Sequence, residues 1–88
     1  MLIIYPKKST DEYHSDLPDY PFMKACKEVL ANAPDTWKRY TDTPEGKCSI
    51  ISMEFNELMK AKDTETKKNE LIHLASACLN LWRTLNAV

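Results

Sequence analysis

The chain has 88 residues, a formal net charge of −1, 43% hydrophobic and 28% charged residues, a balance that suits one small globular domain and excludes a disordered chain. Its single glycine, Gly46, excludes the glycine-rich phosphate loops of P-loop and dinucleotide-binding proteins. The near-neutral charge, without a long basic run, gives nucleic-acid binding no support, and no apolar window approaches a membrane-spanning length.

Residues 1–5, "MLIIY", are β-prone and end at Pro6. They are too short, and lack the basic start, for a signal peptide, so they read as a short edge strand or an apolar arm. Residues 6–19 are polar and rich in turn formers, with His14 as a solvated loop histidine. The division is therefore an arm and loop over 1–19 and a helical core over 20–88 of one domain. A first helix is expected over 21–32, with Asp19 as its cap and Pro21 in its first turn. Phe22, Ala25, Cys26, Val29 and Leu30 form its apolar stripe, and Pro34 ends it. The connector "DTWKRYTDTPEG" over 35–46 holds Trp37 and Tyr40, with one helical turn around Trp37. A second helix is expected over 47–62, with Cys48, Ile51, Phe55, Leu58 and Met59 apolar. After the break "KDTETKKN", Thr64 or Thr66 caps a third helix that runs to Leu85 or Asn86. In it Leu71, Leu74, Ala75, Cys78, Trp82 and Leu85 follow a near-heptad pattern, widened by Ile72, Leu79 and Leu81.

The short linker between the last two helices favours an antiparallel hairpin. The fold expected is all-α, a bundle of about three helices. A chain this short buries only about 60–65% of its unfolded surface. Its widest apolar stripe wants neighbours on two sides, so a homodimer or homotetramer is expected. Cys26, Cys48 and Cys78 are odd in number and lack close spacing, which points to buried free thiols in a reducing cytosol rather than to a disulfide or a zinc site.

The polar exceptions carry the chemistry. Glu54 and Glu57 are three residues apart, as are Glu70 and His73, so each pair shares a helix face. An antiparallel hairpin brings the two pairs to similar heights. Carboxylates gathered this way repel unless protons or a cation lie between them. Oxygen-rich clusters suit hard cations such as Mg²⁺ or Mn²⁺, the equipment of phosphoryl- and nucleotidyl-transfer sites. The competing reading is a pair of solvated helix edges, with Glu57 beside Lys60 and Glu70 beside Lys67.

"MEFNELMKA", a short charged break and "NELIHLASACLNLWRTL" together resemble the MazG-like, all-α nucleoside triphosphate pyrophosphatase superfamily, above all its small phage and prophage members. The resemblance covers about residues 50–85. That superfamily carries E-E-x-x-E on one helix and E-x-x-D on the next, its carboxylates holding Mg²⁺. The resemblance implies that Glu54, Glu57, Glu70 and His73 hold Mg²⁺ (or Mn²⁺). It also implies hydrolysis of a nucleoside triphosphate to the monophosphate and pyrophosphate, with Glu57 orienting or deprotonating the attacking water. Two positions depart from the motif: Met53 stands for the first glutamate and His73 for the aspartate. They keep a second reading open, a catalytically degenerate relative that binds a nucleotide or a protein, such as a phage-encoded regulator. Lys60, Lys67, Lys68 and Arg83 read as phosphate contacts or as surface charges. Trp37 or Trp82 would stack a base, with core packing the stronger reading for Trp82. Asn80 faces the same pocket or makes an interhelical hydrogen bond.

Overall fold

The computed structural model describes residues 19–87, and among these there are three α-helices, one 3-10 helix and no strand. The segment 1–5 and His14 lie outside the described residues. Helix α1 is Tyr20–Ala31, the 3-10 turn is Asp35–Arg39, α2 is Pro44–Lys60 and α3 is Thr64–Asn86. The chain is thus the small all-α bundle expected from its hydrophobic periodicity. No described helix is long and apolar enough to cross a membrane.

The helix ends follow local chemistry. Pro21 sits in the first turn of α1, but the Asp19 side chain makes no capping hydrogen bond. Pro34 holds extended backbone and so separates α1 from the 3-10 turn. Helix α2 starts three residues before the expected Lys47, because Thr43 Oγ1 accepts the Gly46 N–H at 3.1 Å and Pro44 opens the helix. The only glycine is needed here: a Cβ on Gly46 would lie 2.0 Å from the Thr41 carbonyl oxygen. Helix α3 is capped by Asp63, not by Thr64 or Thr66. Its Oδ1 accepts the Thr66 N–H at 2.8 Å and its Oδ2 accepts the Thr66 hydroxyl at 2.9 Å. These bonds hold the Asp63 carboxyl below its usual range, the backbone N–H of Thr66 contributing most.

Helices α2 and α3 form the hairpin, and α1 packs across α3. Trp37, Ile50 and Ala77 make the buried core, with Val29, Leu30, Tyr40, Ile51 and Met53 packed around them. Cys26 is buried on α1, and its thiol faces the Ile72 carbonyl at 3.9 Å. Ser76 is fully buried. Its small side chain lets α1 approach, and its hydroxyl donates to Ile72 O at 2.7 Å and lies 3.4 Å from Cys26 O.

Three expectations about burial need correction. Cys48 and Cys78 are exposed, so only Cys26 is a buried thiol. Trp82, read as core, is 65% exposed. The reason is common to all three: they lie on the side of the hairpin that α1 does not cover.

Candidate metal centre

The hairpin brings Glu54 of α2 beside Glu70 and His73 of α3, with one ligand atom of each within 4.8 Å of the others. Glu54 is 3% exposed, deep between the helices. Its Oε1 accepts the indole N–H of Trp37 at 3.2 Å. Its Oε2 is buried and has no hydrogen-bond partner. His73 Nδ1 lies 3.5 Å from that oxygen and 3.8 Å from Glu70 Oε2. Both separations exceed a hydrogen bond, whose N···O distance is about 2.9 Å.

The spacing is somewhat wider than a bound small cation would set. Ligand atoms about 2.1 Å from a divalent ion stand roughly 3.0–3.4 Å apart in octahedral and tetrahedral shells. Two carboxylates and one imidazole form a mixed oxygen and nitrogen set, at home with Mn²⁺ and acceptable to Mg²⁺. The orphaned Glu54 Oε2 is the atom that fits the ion best. A buried acceptor without a donor costs about 1–3 kcal/mol, more when charged, and a cation removes that cost.

Burial pushes the Glu54 pKa above its usual range, and the neighbouring Glu70 and Glu57 add to the rise. The Trp37 N–H and His73 oppose it.

A cleft of about 360 Å³ opens over these groups. It is lined on one side by Glu54, Glu57, Glu70 and His73 and on the other by Thr36, Arg39 and Tyr40. The four residues expected at the site therefore share one cleft. Glu57 stands apart from the three that close on one another. Its carboxylate faces Lys60 at 3.8 Å and is about half-exposed. Among the weaker candidates, Lys67, Lys68, Arg83 and Asn80 do not line this cleft. Trp82 lies exposed. Trp37 is buried with its N–H committed to Glu54, so no indole face is offered to a base.

Sequence reasoning missed Trp37 as a carboxylate-orienting residue, and Thr36, Arg39 and Tyr40 as the opposite wall. The available signal was a tryptophan in a proline-bounded connector, close upstream of an acidic pair. A tryptophan N–H in a core has to find an acceptor.

No protein-family model, curated protein or solved structure matches the chain.

Proposed function

We propose that the cleft holds a divalent cation on Glu54, Glu70 and His73, and that the protein is a MazG-like hydrolase cleaving a nucleoside triphosphate to the monophosphate and pyrophosphate. The observation that carries this reading is the buried, unpartnered Oε2 of Glu54, aimed at His73. A bound Mg²⁺ or Mn²⁺ supplies charge neutralisation and polarisation of the phosphate oxygens.

The remaining roles belong to the chain itself. Trp37 orients Glu54 through its N–H. Glu57, in the same cleft and more accessible to water than Glu54, orients the attacking water and takes its proton. The water oxygen bonds to the α-phosphorus as the bond to the bridging oxygen breaks, and pyrophosphate leaves. Arg39 on the facing wall offers a fork of donors to phosphate oxygens.

A second reading is favoured by Met53, which lines the same cleft but offers no ligand to a hard cation. In it the site binds a nucleotide, or supports a protein contact, without turnover.

The test combines melting with turnover. Mg²⁺ or Mn²⁺ should raise Tm, a non-hydrolysable triphosphate analogue should raise it further, and pyrophosphate should be released from hydrolysable triphosphates. Glu57→Gln should keep the metal-dependent rise and lose pyrophosphate release. Both Tm rises without hydrolysis would select the second reading. No rise at millimolar metal would refute the site.

A further inference from the structure

The three groups that close on one another are not the set that Mg²⁺ usually takes. Mg²⁺ keeps several waters and is held through one or two carboxylates together with the phosphates of a substrate. Here a nitrogen completes the set. His73 Nδ1 stands 3.5 Å from Glu54 Oε2 and 3.8 Å from Glu70 Oε2, so the ring presents the same atom to both carboxylates. Met53 lines the same cleft and adds no oxygen.

The set needs nothing from outside the chain. Glu54 is fixed inside the hairpin by burial and by the Trp37 N–H, and its free Oε2 is aimed at His73. Glu70 and His73 stand about one helical turn apart on α3. Both are only partly buried, so an ion among the three has its remaining positions open toward the facing wall of Thr36, Arg39 and Tyr40. The His73 ring also borders a second cavity of about 340 Å³ on the α1 side, with Glu28, Asn32 and Asn69 on its rim. An imidazole that ligates through one nitrogen gives its other N–H to an acceptor, and the carboxylate and amide oxygens of that rim are acceptors.

We propose that Glu54, Glu70 and His73 form a resident site for a first-row transition-metal ion, filled before any nucleotide arrives, and that His73 is the residue that selects such an ion over Mg²⁺. This rests on the cation site of the proposed function and not on the hydrolysis assigned to it. An imidazole nitrogen is a softer donor than a carboxylate oxygen. It strengthens the hold on Fe²⁺, Co²⁺, Ni²⁺ and Zn²⁺, and to a smaller extent on Mn²⁺. Mg²⁺ prefers oxygen in near-ideal octahedra and sheds water reluctantly, so the nitrogen brings it little. A set already assembled around a buried anchor gives up little freedom on binding, which favours an ion that the protein holds alone. Mg²⁺ at millimolar concentration still enters on the two carboxylates, so the difference is one of preference.

The experiment uses the full chain, freed of metal with EDTA and dialysed, with no nucleotide present. Co²⁺ and Mg²⁺ are titrated by calorimetry, and Co²⁺ also by its visible absorption and by proton NMR. The wild-type protein should bind one Co²⁺ per chain at least about a hundred-fold more tightly than Mg²⁺. One exchangeable, strongly shifted imidazole N–H resonance should appear with it. His73→Asn keeps the neutral charge and replaces the nitrogen ligand by oxygen. His73→Asp adds a carboxylate and strengthens every cation, so the ratio of the two affinities is what is read. In both variants the preference for Co²⁺ should fall at least roughly ten-fold and the shifted resonance should vanish. The wild-type titration stands alone if a variant fails to fold. Equal affinities for the two ions in the wild type overturn the proposal, as does Co²⁺ that binds only once a nucleotide is added. An unchanged preference in both folded variants also overturns it, since the ion then sits elsewhere. Pyrophosphate release is assayed on the same samples. Selective binding without release upholds this proposal and removes the hydrolytic reading, whereas release with both ions bound alike does the reverse.

Discussion

Replacing Glu54 with glutamine tests the metal centre most directly. The buried carboxylate has one oxygen bonded to Trp37 and one without a donor. Glutamine keeps the shape and the acceptor for the indole N–H. It places an amide N–H where Oε2 now stands, 3.5 Å from His73 Nδ1 and near Glu70, and both can accept from it. The change removes one unsatisfied buried acceptor and one negative charge facing Glu70. In EDTA at neutral pH the variant should be more stable by about 1–2 kcal/mol, which for a domain of this size raises Tm by roughly 5–15 °C. The gain should depend on pH. Folding raises the Glu54 pKa above its ordinary value near 4.5. Its contribution to wild-type stability is therefore complete below that value and is lost as pH rises through the folded-state pKa. The two melting curves should converge in acid and separate toward neutrality. Added Mn²⁺ should raise the wild-type Tm and leave the variant nearly unmoved. Scanning calorimetry across pH, with and without metal, reads all of this. A variant less stable than wild type in EDTA, or stabilised equally by Mn²⁺, would refute the argument.

Trp37→Phe keeps most of the buried ring and removes the N–H to Glu54. It should cost about 1.5–3 kcal/mol and weaken metal binding about 10–100-fold, read by calorimetry and metal titration. Gly46→Ala should lower Tm, although alanine normally favours a helix interior by about 1 kcal/mol, because the new Cβ meets the Thr41 carbonyl oxygen at 2.0 Å. Asp63→Ala removes the α3 cap and should lower Tm at neutral pH. The Asp63 pKa is depressed from 3.8 in the folded chain, so its stabilisation is present above that value and fades as pH falls through the folded-state pKa, where the two proteins should converge.

Periodicity in the sequence was enough for the three helices and the hairpin, because apolar spacing at 3.6 residues has one economical solution. The helix starts were less legible. Three or four capping side chains stand close together at each break, and whichever meets the right N–H wins. At α3 that is Asp63, ahead of the two threonines. Pairing of the acidic i, i+3 residues across the hairpin was also legible, since it depends on register alone. The separate standing of Glu57 was not: a small rotation of α2 decides which carboxylate points between the helices, and Glu54 does. The facing wall could not be read either, because Arg39 and Tyr40 reach the cleft only after Trp37 anchors the 3-10 turn in the core.

The same reasoning explains why Trp82 was misread as core. Periodicity reports which helix face is apolar, not what covers it. Helix α3 is apolar over more than half its circumference, and only part of that arc meets α1 and α2. Four hydrophobic residues, Cys26, Trp37, Ile50 and Ala77, are buried among those described, and the Glu54 carboxylate shares their interior. Burying that carboxylate without a cation costs stability, and the described core leaves little to offset it. A divalent cation bound on Glu54 would lessen that cost, and Mg²⁺ or Mn²⁺ should therefore raise the Tm of the protein.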